Sequence, residues 1–194
     1  MVNDSEISSE PIIRTATARD AQAIAAIYAH YVATSPATFD ETAPGPEPFA
    51  EKIAASSTGG MPFLVAEDER LVLGYGYLAP YRERSAYRHT VEDSVYVAAP
   101  ARGRGVGRAL LERLLEEGER AGAREVIAVI AATGAAASVA LHRACGFRDA
   151  GRLTAVGLKH GAWHDTILMQ RSLGPARDQR EVRTRRASLP GEAG

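Results

Sequence analysis

A glycine-rich stretch, RGRGVG at residues 102–107, limits the folds open to this chain because it separates a strand pattern from a helix pattern. The preceding TVEDSVYV is rich in β-branched and aromatic residues, and Pro100 closes it off. The residues that follow place Val106, Leu110, Leu111, Leu114 and Leu115 at helical spacing. A helix start offers unpaired N–H groups and a partial positive charge, so this arrangement predicts a site for a phosphorylated ligand.

Two other kinds of phosphate loop do not match this stretch. A Walker loop needs a lysine followed by serine or threonine after its last glycine, whereas Arg108 and Ala109 follow Gly107. A dinucleotide-binding fold carries its glycine loop after the first strand, whereas a predicted hairpin comes first in this chain.

The remaining patterns predict an α+β fold with a mixed sheet rather than a doubly wound one. The run EVIAVIAA is a continuous apolar strand of the kind buried in a parallel pair. Residues Thr17 to Asp20 have the spacing of a helix cap. The other predicted elements are a strand at PIIRTA, helices at Asp20–Val32 and Phe49–Ala55 on either side of a proline-rich loop, hairpin strands at Phe63–Ala66 and Leu71–Ala79, a helix carrying Val139, Leu141 and Cys145 up to Gly146, and strands at RLTAVGLKH and TILMQRSL.

Composition restricts the class of protein. The 194 residues suit one domain, which we expect at 11–173, with a flexible N-terminus at 1–10 and a disordered, arginine-rich tail at 174–194. A nucleic-acid-binding arm is the alternative for that tail. The net charge of −1 gives no general attraction to nucleic acid or to an anionic membrane, and no apolar run is long enough to span one. The single cysteine excludes a disulfide framework, so we expect a cytoplasmic protein.

Two motifs carry a resemblance to a known family. The loop RGRGVG resembles the Q/R-x-x-G-x-G/A signature of the GNAT acyltransferase superfamily, and the segment LHRACGF resembles that family's second CoA-contacting segment. Within the superfamily, the stretches IRTATARD, LVLGYGYLAPYRERSAYRHTVEDSVYV, SVALHRACGF and VGLKHGAWHDTILMQ look most like the phosphinothricin and methionine-sulfoximine N-acetyltransferases. The resemblance implies a mostly antiparallel sheet with a splayed parallel pair, acetyl-CoA as co-substrate, a small amine as acceptor and a homodimer.

The resemblance also implies which residues contact the cofactor. Backbone groups near Val95 and Val97 pair with the pantetheine arm, and the glycine loop surrounds the phosphates. One position departs from the family, since Ala135 stands where an asparagine is usual, and one hydrogen bond is thereby lost. The implied cofactor-binding residues are Val95, Tyr96, Val97, Arg102, Gly103, Arg104, Gly105, Val106, Gly107, Arg108, Ala135 and Ser138.

Two residues are implied for catalysis. Glu92 occupies the position of the family's general base, and Asp93 beside it faces the opposite side of the strand. His142 stands beside the leaving thiolate, where it either protonates the sulfur or fills a cleft as a structural histidine. Cys145 is expected to be a buried structural thiol.

The acceptor amino acid needs cations and hydrogen-bond donors for its anionic groups. We expect two clusters to form the walls of one pocket, and a zinc site is rejected because His160 and His164 lack a third ligand. The candidate acceptor-binding residues are Phe39, Arg82, Arg84, Tyr87, Lys159 and Trp163. The alternative functions are acetylation of another small amine or of a protein N-terminus, and CoA binding without turnover.

Overall fold

In the computed structural model, which describes residues 11–69 and 71–174, seven strands form one sheet and four helices pack against it. The predicted flexible N-terminus lies outside the described residues, as does the predicted tail beyond Gly174. In chain order the elements are β1 (Ile12–Thr15), α1 (Ala21–Thr34), α2 (Pro46–Gly59), β2 (Phe63–Asp68), β3 (Leu71–Pro80), β4 (Thr90–Val97), α3 (Val106–Arg120), β5 (Glu125–Ala131), α4 (Ala136–Ala144), β6 (Arg148–Lys159) and β7 (Ala162–Ser172).

The strand order confirms the predicted mixed sheet. The strands lie in the order β1-β2-β3-β4-β5-β7-β6, and every neighbouring pair is antiparallel except β4 and β5. Parallel strands need a long crossover, and α3 supplies it between β4 and β5. The glycine loop therefore lies at the carboxyl end of β4, where the crossover begins.

Two hydrophobic clusters cover the two faces of the sheet. On one face, α3 buries all five of its predicted apolar positions against β2, β3 and β4, and α4 joins this cluster through Val139 and Leu141. On the other face, α1 and α2 pack against aromatic side chains of β2 and β3, including Phe63 and Tyr75. Because successive residues of a strand point to opposite faces, neighbouring residues of β4 contact different helices.

Several helices and strands are longer than the sequence predicted. The helix α2 extends from Pro46 to Gly59, because proline is tolerated in a first turn and Gly60 ends the helix in the left-handed region (φ 72°). The strands β6 and β7 each begin four residues earlier than predicted, and their shared hairpin turns at His160 and Gly161. Cys145 lies one residue beyond α4.

Candidate active site

The glycine loop presents bare backbone at the start of α3. Gly103 and Gly105 have φ values of 76° and 80°, a conformation that favours glycine, and Gly105 is the N-cap of the helix. A Cβ atom built on either glycine meets no other atom within 4 Å. The loop therefore leaves space beside its amides, which suits the diphosphate of a nucleotide ligand.

Each arginine of this loop is held by the protein. The Arg104 Nη2 atom lies 3.7 Å from Asp68 Oδ2, and the Arg108 Nε atom donates to Glu112 at 2.8 Å on the surface of α3. The Arg102 guanidinium lies 5.0 Å from the ring centroid of Tyr31. The three positive charges thus surround the loop predicted to bind phosphate.

A gap opens between β4 and β5 next to this loop. The two strands pair from Thr90 to Asp93 on β4, and β5 continues alongside β7 as far as Ala131. Ala98 N donates to Leu73 O on β3, so the alternate residues Val95 and Val97 turn their backbone groups towards the gap. This geometry fits an extended ligand arm that adds a strand beside β4.

Sequence reasoning missed the part that Tyr31 plays in this gap. Its hydroxyl donates to Val97 O at 2.8 Å and accepts from Val97 N at 3.3 Å. The backbone groups of Val97 are therefore bonded within the protein, whereas those of Val95 face the gap further along the strand. Tyr31 lies within the helix predicted at Asp20–Val32, but its contact with Val97 depends on how α1 crosses β4.

Glu92 is half-buried on the sheet face covered by α1 and α2. Burial raises the pKa of its carboxyl, the neighbouring charge of Asp93 raises that pKa further, and Arg82 opposes the shift. A carboxylate with a raised pKa is a stronger base than an exposed one, so Glu92 suits proton abstraction.

Asp93 and His142 form a buried pair on the opposite face. His142 Nε2 lies 3.0 Å from Asp93 Oδ2, His142 Nδ1 lies 2.7 Å from Ser138 O, and the two side chains are only 5% and 2% exposed. Both ring nitrogens face acceptors, which the doubly protonated imidazolium satisfies. Burial alone lowers the pKa of His142, but the hydrogen bond and charge of Asp93 and the Ser138 carbonyl outweigh it and raise the pKa.

This pair lies where the gap begins, because Asp93 and Ala128 are the last residues that pair between β4 and β5. Glu92 and His142 therefore lie on opposite sides of β4 at the point where the strands separate. Strand alternation predicted the opposite orientations of Glu92 and Asp93, but the contact between Asp93 and His142 was missed. The second carboxylate oxygen of Asp93, Oδ1, is buried without a hydrogen-bond partner among the described residues.

The other predicted cofactor-side residues lie along the same gap or beneath it. Val106 is buried, and Gly107 lies against Val97 and Leu141. Ala135 is buried at the start of α4, one turn before Val139, and contributes no side-chain hydrogen bond. Tyr96 packs edge-on against Tyr28 and Tyr31 on the Glu92 face.

The predicted acceptor-binding residues fall into two groups. Arg82 lies over the ring of Tyr81 at 4.3 Å, and Tyr87 packs edge-on against the same ring, in the exposed connection that also contains Arg84. On the β6–β7 hairpin, Trp163 is 65% exposed. Arg82 is close enough to Glu92 to lower the pKa of its carboxyl, so this one member of the first group lies near the candidate base.

Lys159 differs from the prediction that it is a cation facing the acceptor. It is 1% exposed, and its ammonium donates to Thr38 O at 2.7 Å and to Ser35 O at 3.0 Å. Its long side chain crosses from β6 to the loop between α1 and α2, so its charge is directed into the protein. Phe39, in that same loop, is 39% exposed.

Within residues 11–69 and 71–174, no group of three or more His, Cys, Asp or Glu side chains is arranged to hold a metal ion. In the same ranges no helix has the length and apolar character needed to cross a membrane. A cavity of about 660 Å³ lies at the amino-terminal ends of β4 and β5, the opposite end from the glycine loop, with Arg88, His89 and Glu119 in its walls.

A mixed sheet with a splayed parallel pair and an amide loop at the start of the central helix is the architecture expected of the GNAT superfamily. The profile of the acetyltransferase (GNAT) family matches residues 24–147, and the chain belongs to this family. It is an N-acetyltransferase.

Several N-acetyltransferases of known name are similar to this chain over most of its length. A phosphinothricin N-acetyltransferase from Alcaligenes faecalis is 48% identical over 161 residues, which cover 83% of this chain and 82% of the relative. An L-methionine sulfoximine/L-methionine sulfone acetyltransferase from Pseudomonas paraeruginosa is 40% identical over 169 residues, covering 85% and 96%. The crystal structure of a phosphinothricin acetyltransferase from Sinorhizobium meliloti in complex with AcCoA superimposes with a TM-score of 0.81 at 43% identity, covering 86% of this chain and 90% of that one.

Proposed function

We propose that this N-acetyltransferase moves the acetyl group of acetyl-CoA to the α-amine of phosphinothricin, methionine sulfoximine or a similar small amino acid. The observation that carries the proposal is the position of Glu92, a half-buried carboxylate with a raised pKa at the point where β4 and β5 separate. The names of the relatives from Alcaligenes faecalis and Pseudomonas paraeruginosa support the substrate class.

The residues of the gap fit the co-substrate. The amides around Gly103 and Gly105 bind the diphosphate, with Arg102, Arg104 and Arg108 around them. The backbone of Val95 bonds the pantetheine arm along the open side of β4. Acetyl-CoA supplies a thioester, whose carbonyl carbon is open to attack by a neutral amine.

Glu92 prepares the acceptor for this attack. Aliphatic amines are largely protonated near pH 7, so the amine must lose a proton before it becomes a nucleophile. Glu92 takes that proton on the α1/α2 face, and positioned proton transfer of this kind contributes about 10²–10⁴ in rate. Backbone N–H groups near Val95 stabilise the negative charge that develops on the carbonyl oxygen.

The Asp93–His142 pair acts on the leaving group. The imidazolium lies on the opposite side of β4 from Glu92, and both of its N–H groups are bonded, one to Asp93 and one to the Ser138 carbonyl, so it acts through its positive charge on the departing thiolate. Arg82, Arg84 and Tyr87 bind the anionic groups of the acceptor beside Glu92, with Phe39 and Trp163 as apolar walls.

The chain is further proposed to act as a homodimer in the cytoplasm. Large apolar side chains are exposed on the β6–β7 hairpin, which provides a surface that a second copy can cover; they are Leu153, Val156, Leu158 and Trp163. The free, buried Cys145 is compatible with a reducing compartment. Light scattering after size-exclusion chromatography tests the dimer.

A thiol-release assay tests the function. Wild-type protein is incubated with acetyl-CoA and a panel containing phosphinothricin, methionine sulfoximine, other amino acids and a peptide with a free N-terminus. The Glu92→Gln variant is expected to lose about 10²–10⁴ in kcat. Glu116→Gln, the same change at an exposed residue of α3, is the control and is expected to retain full rate.

The outcomes distinguish the alternatives. If the two named amino acids are inert while another amine or the peptide reacts, the substrate assignment is wrong. If the protein binds acetyl-CoA but no amine releases thiol, the chain is a CoA-binding module. If Glu92→Gln keeps the wild-type rate at every pH, Glu92 is not the base.

A further inference from the structure

The buried lysine of β6 contacts one loop. Lys159 Nζ donates to the carbonyls of Thr38 and Ser35, both in the segment 35–45 that joins α1 to α2. This segment is called the acceptor loop below. Burying an ammonium is costly unless it is hydrogen-bonded, so the two carbonyl contacts strongly restrain where the loop can lie.

A glycine two residues earlier receives the same loop. A Cβ atom on Gly157 would lie 2.4 Å from ring carbons of Phe39, a distance that real Cβ atoms do not reach. The Phe39 ring also stacks against the imidazole ring of His164 on β7, with 6.3 Å between the two ring centroids. The Phe39 ring thus packs directly against the backbone of the hairpin at Gly157, and glycine is required there because any side chain would occupy the space of the ring.

Two further residues of the hairpin, His164 and Asp165, stabilise the backbone around this contact. His164 Nε2 lies 3.3 Å from Lys159 O, to which it donates because a carbonyl only accepts, and its Nδ1 lies 2.9 Å from Thr133 Oγ1. Asp165 accepts from Ala155 N and Arg152 Nε, both at 2.8 Å, where the register of β6 shifts. Gly157, Lys159, His164 and Asp165, four residues of the segment VGLKHGAWHD, therefore share one structural task.

The other side of the acceptor loop contacts the face that carries Glu92. The Tyr28 hydroxyl lies 2.6 Å from Thr38 Oγ1 and donates to Asp40 Oδ2 at 2.7 Å. The Tyr28 ring packs edge-on against Tyr96 at 5.2 Å, and Tyr96 shares its face of β4 with Glu92. The loop consequently connects the hairpin to the acceptor side of the sheet.

We propose that the β6–β7 hairpin is a clamp for the acceptor loop, and that Lys159 is a positioning residue which sets the place of Phe39 and Asp40 in the wall of the acceptor pocket. Lys159 acts through the loop and does not touch the substrate. The inference rests on the proposed function, because it assigns the loop to binding of the amino-acid acceptor.

Two variants release the clamp in different ways. Lys159→Met keeps the length of the side chain and removes its donors, whereas Gly157→Ala keeps Lys159 and displaces the Phe39 ring. Arg148→Met, the loss of an exposed cation at the far end of β6, is the matched control. Each protein is compared with wild type by hydrogen exchange of residues 35–45 and by kinetics, with KM measured for the acceptor and for acetyl-CoA separately.

We expect faster exchange of the acceptor loop in both variants and a fall of about 10- to 100-fold in kcat/KM for the acceptor, because small displacements of positioning groups have effects of this size. KM for acetyl-CoA should not change, since the glycine loop is at a different place in the fold. Arg148→Met should match wild type in every measurement.

The two measurements separate the clamp from the part that the loop plays in acceptor binding. Unchanged exchange in both variants overturns the clamp, whatever the amine panel shows. Faster exchange with an unchanged kcat/KM for the acceptor overturns the role of the loop in acceptor binding, as does an equal rise in KM for acetyl-CoA. A wild-type protein that acetylates no amino acid contradicts the proposed function, while the exchange measurement still decides whether Lys159 holds the loop. If Lys159→Met does not fold, Gly157→Ala provides the same test.

Discussion

Replacing Asp93 with asparagine tests the electrostatics of the site, because the shape of the side chain is kept and its charge is removed. The carboxylate influences two ionisable groups, since it raises the pKa of Glu92 by repulsion and raises the pKa of His142 by attraction and hydrogen bonding. Removal of the charge lowers both pKa values. If Glu92 must be ionised and His142 protonated, both limbs of the pH–rate profile move to lower pH.

The same change has a cost in stability that follows from the geometry. The His142–Asp93 contact is 3.0 Å long and its side chains are 5% and 2% exposed, so solvent screens it little. Removing one member of a buried charged pair costs about 3–5 kcal/mol when the other stays charged. His142 can instead lose its proton and keep its bond to Ser138, which reduces the expected loss to about 1–3 kcal/mol. For a chain of this size that loss lowers Tm by roughly 3–10 °C.

The dependence of this loss on pH has a definite sign. A histidine whose pKa is raised in the folded state stabilises the protein fully below its unfolded pKa of 6.5, and this contribution disappears as the pH rises through the folded pKa. The Tm difference between wild type and Asp93→Asn should therefore be larger at pH 6 than at pH 9. Scanning calorimetry at the two pH values measures it.

An exposed pair provides the control for this experiment. Arg143, also on α4, bonds Asp149 at 2.9 Å with both side chains about 60% exposed, so Asp149→Asn should change the free energy of unfolding by about 0–1 kcal/mol. Three results would contradict the role assigned to the Asp93 charge: an Asp93→Asn variant as stable as wild type at both pH values, a Tm difference that grows towards pH 9, or movement of either limb of the rate profile to higher pH.

Three further substitutions test the packing and charge of the fold. Tyr75→Phe removes a buried hydroxyl that has no hydrogen-bond partner among the described residues, so chemical denaturation should show no loss of stability or a gain of up to about 1–3 kcal/mol; a clear loss would reveal a hidden partner. Gly118→Ala places a Cβ atom 2.4 Å from Leu78 Cδ1 and should cost about 1–3 kcal/mol, and an unchanged denaturation midpoint would contradict this contact. Asp20 is buried, which raises the pKa of its carboxyl, but its hydrogen bonds to Arg14 and Thr17 prevail and lower that pKa to about 2. Asp20→Asn should therefore destabilise the protein by about 1.5–3 kcal/mol at pH 7, and this loss should decrease as the pH falls from 3.8 towards 2. A loss of stability that does not depend on pH would show that the charge of Asp20 is unimportant.

Local patterns in the sequence determined most of the elements and the faces they present. The apolar spacing of α3 and the run of glycines before it are properties of consecutive residues, so the helix, its buried positions and the bare loop at its start were predictable. The same holds for the opposite orientations of Glu92 and Asp93, which follow from the two-residue period of a strand. The resemblance of the motifs to the GNAT family then indicated a mostly antiparallel sheet with one splayed parallel pair.

Only the tertiary structure decided which distant residues meet. His142 contacts Asp93 across 49 positions of sequence, and Lys159 reaches the carbonyl of Thr38 across 121. Such contacts depend on strand order, on the register shift in β6 and on the angle at which helices cross the sheet, and none of these leaves a periodic pattern in the chain. A lysine expected to bind substrate therefore proved to be buried against a loop, and a carboxylate expected only to face away from the base proved to hold the histidine.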